Sequence, residues 1–241
     1  MKFGSLFAGI GGFDLGLERS GMQCRWQVEI DPWCRRVLAK QWPDVRRWDD
    51  VRTWPQPDTE PVDLICGGFP CQDLSNAGKR KGITGERSGL WKEFARILRV
   101  VRPRYALIEN VSAILGRGLD TVLCDLAKIG FDAEWQTVRT GLHLGHKRSR
   151  VFVVAYSDGS RLESTRQCGK AASATRCEPI FTYAASLPGS QSASDVVRSV
   201  HGIPRRMDRI RGLGNAVVPQ VAELIGRMIF EQEAIHDSRH R

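Results

Sequence analysis

The run Gly67-Gly68-Phe69-Pro70-Cys71-Gln72-Asp73-Leu74-Ser75 places one cysteine on a sharp Pro-Cys turn, directly after an apolar segment at 62–66 that reads as a strand. Two glycines and a proline do not continue a central strand, so the next side chain is presented at the strand's carboxyl end. Open α/β sheets keep their ligands at that edge. A thiol there suits nucleophilic addition, although a buried structural thiol shares the same local pattern. A second chemical feature lies at the N-terminus. Residues 3–7 read as a short strand, and Gly9, Gly11 and Gly12 follow before an amphipathic segment at 13–17. A strand, a glycine turn and a helix start bring backbone N–H groups close to a ligand. The spacing departs from the dinucleotide pattern, with Asp14 where the last glycine would stand. Glu29 ends a second strand at 24–30, about where a nucleotide-binding α/β unit keeps its ribose-binding acid. Asp31 precedes Pro32 and reads as the cap of a helix.

The elements that must position these residues alternate as strand and helix over 1–155, which predicts an α/β fold. A helix over 32–41 leads past Asp49 and Asp50 to the strand before Cys71. Leu90, Phe94, Ile97, Leu98 and Val101 mark a helix closed by Pro103, and 105–108 is the next strand. Leu119, Val122, Leu123 and Leu126 form a helical stripe ended by Gly130, after which 133–138 and 151–156 read as strands. A mostly parallel sheet with helices on both faces is expected. Near Tyr156 the composition changes: 157–199 is rich in Ser, Ala, Gly, Thr and Arg and carries no sustained period. That is a boundary, followed by either a partly disordered insertion or a small recognition region. A last helix, 217–233, carries Val221, Leu224, Ile225 and Met228 as a docking stripe, and the tail from 234 is expected to fray.

Composition sets limits. With 36 Lys+Arg against 27 Asp+Glu in 241 residues, the formal charge of +9 favours a polyanionic partner. Seven cysteines, an odd count with no Cys-x-x-Cys pair, argue against a disulfide framework or a zinc ribbon and for a reducing compartment. Cys24, Cys34, Cys66 and Cys124 are expected as small core residues, and Cys168 and Cys177 have no second ligand pair to complete a metal site. Neither an 18-residue apolar run nor a signal peptide is evident, so a soluble, cytoplasmic protein is expected.

Together these residues resemble one family, the DNA cytosine-5 methyltransferases that use S-adenosylmethionine, in a compact prokaryotic or phage form. Phe7-Ala8-Gly9-Ile10-Gly11-Gly12 is similar to the cofactor loop, 67–75 to the Pro-Cys-Gln nucleophile loop, and Glu109-Asn110-Val111 to the Glu-Asn-Val motif. His146-Lys147-Arg148-Ser149-Arg150 stands where the family has Gln-x-Arg-x-Arg, and Gly214-Asn215-Ala216-Val217-Val218-Pro219 resembles the motif before the C-terminal helix. Five motifs occur in the family's order. Two departures are visible: His146 replaces the usual Gln, and Ser5 stands where an acidic strand residue is common.

The resemblance implies a Rossmann-like S-adenosylmethionine-dependent methyltransferase sheet, completed by an edge hairpin at 134–140 and 150–156. It further implies a catalytic and cofactor-binding domain over 1–156, a short target-recognition region over 157–204, and a C-terminal return segment over 205–241 that completes the catalytic domain. For the cofactor it points to Phe7, Ala8, Gly9, Gly11 and Gly12, to Glu29 and Ile30, to Asp50 and Val51, to Pro70, and to Asn215 and Val217 from the return segment; no metal is implied. For catalysis it points to Cys71 adding to C6 of a flipped cytosine, to Glu109 on N3 and the exocyclic amine, and to Arg148 and Arg150 as the cationic field and contact to O2. Ser75, Lys79, Arg80 and Lys81 on a loop over 76–85, with Arg205, Arg206 and Arg209, are the expected contacts to double-stranded DNA. S-adenosylhomocysteine would be the product, a cognate restriction enzyme a possible partner, and the chain a monomer. Two other readings share the motifs: a tRNA methyltransferase of the same fold, and a non-catalytic DNA-binding relative.

Overall fold

A computed structural model describes residues 1–70, 89–140, 148–157 and 216–239. Seven strands form one sheet: β1 (Lys2–Leu6), β2 (Gln23–Val28), β3 (Arg46–Trp48), β4 (Leu64–Gly67), β5 (Tyr105–Val111), β6 (Phe131–Thr140) and β7 (Arg148–Ser157), in the order β3-β2-β1-β4-β5-β7-β6. The first five strands in that order run parallel, and β7 is antiparallel to both β5 and β6. This is the α/β sheet that the alternation predicts, closed by the expected hairpin. The chain leaves β1 toward β2 on one side and returns to β4 on the other, so the strand order reverses between β1 and β4. Ligands of open α/β sheets bind at such a reversal, outside the carboxyl ends of the strands.

Local chemistry accounts for the helices. In α2 (Pro32–Gln41) the Asp31 carboxylate accepts from the N–H groups of Trp33 and Cys34, with Pro32 in the first turn. Helix α3 (Leu90–Val101) buries Trp91, Phe94, Ala95, Ile97 and Leu98 along one stripe and stops at Arg102, whose φ of 54° takes a left-handed cap before Pro103. Helices α1 (Gly12–Arg19), α4 (Leu119–Lys128) and α5 (Pro219–Arg239) complete the set among the described residues. Helix α5 continues to Arg239, so the tail expected to fray from 234 is helical over most of its length.

The sheet separates two apolar layers, as the period-two alternation of its strands requires. Leu6, Ile65, Ala106, Ile108, Val151 and Val153 face one way, toward α3 and α4. Phe3, Leu64, Cys66, Tyr105, Leu107, Phe152 and Val154 face the other way, with Phe13 and Leu17 of α1 and Val221, Ala222, Ile225 and Ile229 of α5. Cys24, Cys34 and Cys66 are buried as expected, whereas Cys124 is exposed. Its helix turns Val122 and Leu126 inward, and Cys124, two residues from each, falls on the opposite side.

Two features were not legible from the pattern. The register between β1 and β2 slips after Phe3↔Cys24 to Gly4↔Trp26, a bulge at Arg25 that brings Cys24 and Gln27 to one face. Strand β5 runs three residues past the expected 108, because β7 pairs with it from Tyr105↔Tyr156 to Val111↔Arg150. Glu109 and Asn110 are therefore ladder residues of rigid geometry.

Candidate active site

Three parallel strand ends meet where the order reverses, with Leu6 opposite both Val28 and Gly67. Just past β1, Phe7 takes a left-handed backbone (φ 51°), rare for an aromatic residue, and Gly9 and Gly11 follow at φ 57° and 88°. The turn is closed by Ala8 N–H donating to the Val28 carbonyl (3.1 Å) and Gly11 N–H to the Ala8 carbonyl (2.9 Å). Gly9 N–H donates to Glu29 Oε2 at 2.7 Å, and Asp31 N–H to Glu29 Oε1 at 2.7 Å. The N–H groups of Ala8, Gly9 and Gly11 are thus used within the protein, and the loop offers a ligand its shape more than these donors. Gly12 is needed for another reason: a Cβ there would lie 2.4 Å from the Val217 carbonyl oxygen, so the return segment rests directly on the start of α1.

Glu29 is 9% exposed, and burial pushes its carboxyl upward, opposed by the two backbone N–H bonds. Each oxygen keeps a further lone pair for a hydroxyl donor. Ile30, immediately after it, is 62% exposed, an apolar surface beside that acid. One strand over, Glu29 N–H donates to the Trp48 carbonyl at 3.0 Å, which sets the end of β3 and the following Asp50 at the same edge. Asp50 caps a 3-10 turn, Val51–Thr53, with Val51 buried beneath. Its carboxyl is held below the ordinary range, chiefly by hydrogen bonds from Arg52. The space where a Gly9 side chain would stand is open to 4 Å, and Glu29, Ile30 and Asp50 follow one another along this edge as an acid, an exposed apolar side chain and a second acid. Phe7 packs on Phe94 with ring centroids 6.3 Å apart.

The second half of the site is built from β4, β5 and β7. Glu109 (8% exposed) and Arg150 stand on one face of the β5–β7 pair as diagonal neighbours, since Glu109 pairs with Phe152 and Arg150 lies two residues further on. Arg150 Nε is 2.8 Å from Glu109 Oε1. The other carboxylate oxygen lies against the β4–loop backbone, where a Cβ on Gly68 would come within 2.8 Å of Glu109 Oε2. Asn110, also buried, donates from Nδ2 to the Phe69 carbonyl at 3.2 Å and accepts from Val111 N–H at 2.8 Å. Phe69 in turn packs against Trp91 of α3, the rings tilted by 47° with centroids 5.4 Å apart. Pro70 closes the described segment, and Cys71 is the next residue.

The structure therefore brings Phe7, Gly9, Glu29, Ile30 and Asp50 to one strand edge, and Glu109 and Arg150 to the backbone that leads into Cys71. Val217 packs on Gly12. Cys71, Ser75, Lys79, Arg80, Lys81, His146, Arg205, Arg206, Arg209 and Asn215 lie outside the described residues, as does 158–215 as a whole. Arg148 opens β7 opposite Thr140, with its side chain outside the description.

Three supporting features escaped sequence reasoning. Asn110 as a tie to Phe69 has no signature beyond its place after Glu109. Arg96 of α3 donates to the Val51 (2.8 Å) and Trp54 (2.6 Å) carbonyls and pins the Asp50 turn. Asp14 is fully buried and accepts from Ser5 Oγ (3.1 Å), Cys24 Sγ (3.4 Å) and Gln27 Nε2 (2.8 Å). Its misfit with the glycine pattern was the available signal. Ser5 donates to an acid delivered by α1, so at this point the acid comes from the helix and not from the strand.

Comparisons with known proteins agree with this geometry. The C-5 cytosine-specific DNA methylase family matches over residues 1–196. The type II methyltransferase M2.BsuMI of Bacillus subtilis is 38% identical over 164 residues, covering 64% of this chain and 42% of that protein. M.DsaV of Dactylococcopsis salina is 35% identical over 164 residues, covering 66% and 46%. The match spans less than half the length of these curated relatives. Among solved structures, the Entamoeba histolytica methyltransferase EhMeth superposes with a TM-score of 0.62 at 13% identity, over 96% of this chain and 98% of that one, a likeness of fold. With five motifs in order, a sheet that brings the two fully described ones, 7–12 and 109–111, to its strand ends, and a family match over most of its length, the chain belongs to the C-5 cytosine-specific DNA methylase family.

Proposed function

We propose that this chain methylates C5 of a cytosine extruded from double-stranded DNA, with Cys71 as the covalent nucleophile. The observation that carries the reading is the convergence of Glu109, Arg150 and Asn110 on Gly68-Phe69, the backbone that delivers Cys71. S-adenosylmethionine, when bound, supplies an electrophilic methyl group; Glu29, Ile30, Asp50, Val51 and the loop 7–12 would hold it, with Pro70, Asn215 and Val217 closing the site.

The residues of the chain do the rest. Cytosine C5 is a poor nucleophile until the ring is activated. Addition of the Cys71 thiolate to C6 forms an S–C6 bond and shifts the ring electrons toward C5; once C5 carries the methyl group, with S-adenosylhomocysteine as the leaving group, the C5 proton would pass to water and the S–C6 bond break, releasing the Cys71 thiolate and restoring the aromatic ring. Glu109 holds N3 and the exocyclic amine as negative charge develops. Arg150, already bound to Glu109, fixes the carboxylate's direction, and with Arg148 it supplies the positive field that favours thiolate and contacts O2. Extrusion costs a few kcal/mol. Phosphate contacts from Ser75, Lys79, Arg80, Lys81, Arg205, Arg206 and Arg209 offset part of it. In this reading 157–204 reads the target and 205–241 returns to complete the catalytic domain. The protein acts as a cytoplasmic monomer of a prokaryotic or phage-infected cell, with a restriction enzyme as its natural counterpart. No helix among the described residues is long and apolar enough to cross a membrane.

The test is bisulfite sequencing of DNA from a methylation-deficient bacterial host expressing the chain or Cys71→Ala. Protected cytosines in a short shared context, absent in the variant, are expected. Methyl incorporation into tRNA with none in DNA would sink the DNA reading, and protection that survives Cys71→Ala would sink the nucleophile.

A further inference from the structure

The carboxylate of Asp50 caps the turn that follows β3, beside the strand end that carries Glu29, and both of its oxygens are engaged. Oδ1 accepts from the Arg52 backbone N–H at 2.9 Å and from Arg52 Nε at 2.9 Å; Oδ2 accepts from Nε at 3.0 Å and from a terminal guanidinium nitrogen at 2.7 Å. The side chains are 23% exposed for Asp50 and 62% for Arg52. Three N–H groups of Arg52, one of them shared between both oxygens, thus occupy the carboxylate from one side. Adenine presents its exocyclic 6-amino group as a hydrogen-bond donor, and an acceptor at this edge is what such a group needs. That acceptor already has an occupant.

The turn does not depend on this pair for its shape. Arg96 holds the Val51 and Trp54 carbonyls, and Thr53 Oγ1 donates to the Asp50 carbonyl at 3.1 Å. The Arg52 backbone N–H would go on capping Oδ1 with the guanidinium removed. The guanidinium is thus free to leave Asp50 without dismantling the turn.

We propose that Arg52 is a built-in competitor for the cofactor's 6-amino group, its guanidinium occupying the Asp50 carboxylate in the free protein and withdrawing when adenine binds. This rests on the cofactor site proposed above. Arg52 sets affinity through an exchange: a charge-assisted, solvent-exposed pair is opened and a neutral amine takes its place. An exposed pair of this kind is worth at most about fivefold in an equilibrium. The cofactor is therefore held more weakly than an unoccupied Asp50 would hold it, and the weakening is confined to ligands that carry a 6-amino group.

The experiment is calorimetric binding of S-adenosylhomocysteine, and of its analogue with hydrogen at purine position 6, to the wild-type chain, Arg52→Met and Arg52→Ala, each checked for an unchanged melting curve. Both Arg52 variants are expected to bind S-adenosylhomocysteine about two- to fivefold more tightly than wild type, and the 6-hydrogen analogue equally. Unchanged or weaker binding of S-adenosylhomocysteine in both Arg52 variants overturns the proposal, as does an equal gain for the analogue. If wild type does not bind S-adenosylhomocysteine, the cofactor-site reading itself fails and the proposal falls with it.

Discussion

Gly16 lies inside α1, where a sequence-based rule recommends alanine: replacing a helical glycine gains about 0.8–1.0 kcal/mol in propensity. The tertiary structure reverses the sign. A Cβ on residue 16 would stand 2.3 Å from the Pro219 carbonyl oxygen, 2.6 Å from the Ala222 Cβ and 2.9 Å from the Glu223 backbone nitrogen. These obstacles are backbone and a methyl group, none of which can rotate aside. Ordinary contact requires α5 to withdraw by roughly 1 Å, and overpacking of this kind costs about 1–3 kcal/mol. The withdrawal also loosens Val221, Ala222, Ile225 and Ile229 in the layer they share with Phe3, Phe13 and Leu17. It strains the far end as well, where Tyr105 Oη donates to Glu233 Oε1 at 2.5 Å and Arg104 pairs with the same carboxylate at 2.6 Å. Net of the propensity gain, Gly16→Ala is expected to lose up to about 2 kcal/mol, or up to roughly 8 °C in Tm for a chain of this size. Urea unfolding followed by circular dichroism measures it directly. A Gly16→Ala variant stabilised by the full propensity gain of about 0.8–1.0 kcal/mol would refute the close approach of α1 and α5.

Other expectations follow from the same geometry. Asp14 receives hydrogen bonds from Ser5, Cys24 and Gln27 while burial, the dominant effect, pushes its carboxyl above the ordinary 3.8. The unfolded chain ionises first, so wild type should lose stability relative to Asp14→Asn as pH rises from about 4 through the folded value, and the loss should be complete above it; urea midpoints of the two proteins that run parallel from pH 4 to pH 8 would contradict this. Asn110→Ala leaves the buried Phe69 carbonyl without its side-chain donor, at about 1–3 kcal/mol. Single-turnover methylation should slow while S-adenosylhomocysteine affinity holds, and an unchanged rate would show that Asn110 does not position the nucleophile loop. Glu109→Gln keeps the shape but not the charge paired with Arg150, and should lower the single-turnover rate about 100-fold or more with DNA binding retained; equal rates would remove Glu109 from the chemistry.

Much of the fold was legible because local physics and tertiary need coincide. Asp31-Pro32 reads as a cap and a first turn in any context, and it is one. The apolar spacing of α3 largely survives: Phe94, Ile97 and Leu98 are buried as the pattern requires, Trp91 and Ala95 join them, and Leu90 and Val101 pack partly buried against the same core. Boundaries were misjudged where a distant strand decides them: β5 extends to Val111 only because β7, about 45 residues later in the chain, pairs along its whole length. The exposure of Cys124 was misjudged for a related reason, since a small thiol fits core and surface alike and only the facing of α4 selects between them.

The sequence by itself determined the chemical inventory and its order: a thiol after a Gly-Gly-Phe-Pro turn, an acid after a second strand, a Glu-Asn pair on a fifth, arginines on a seventh. These are consequences of residue type and short spacing, which any chain context preserves. The tertiary structure decided which of them act on one another. Glu109 meets Arg150 because antiparallel pairing places them diagonally on one face, and it lies beside Gly68 because parallel pairing sets Gly67 opposite Ile108. Asp14 became a buried acid because a bulge turned Cys24 and Gln27 toward it. Such contacts join residues about 10 to 40 positions apart through strand register and helix packing, quantities that no local window contains.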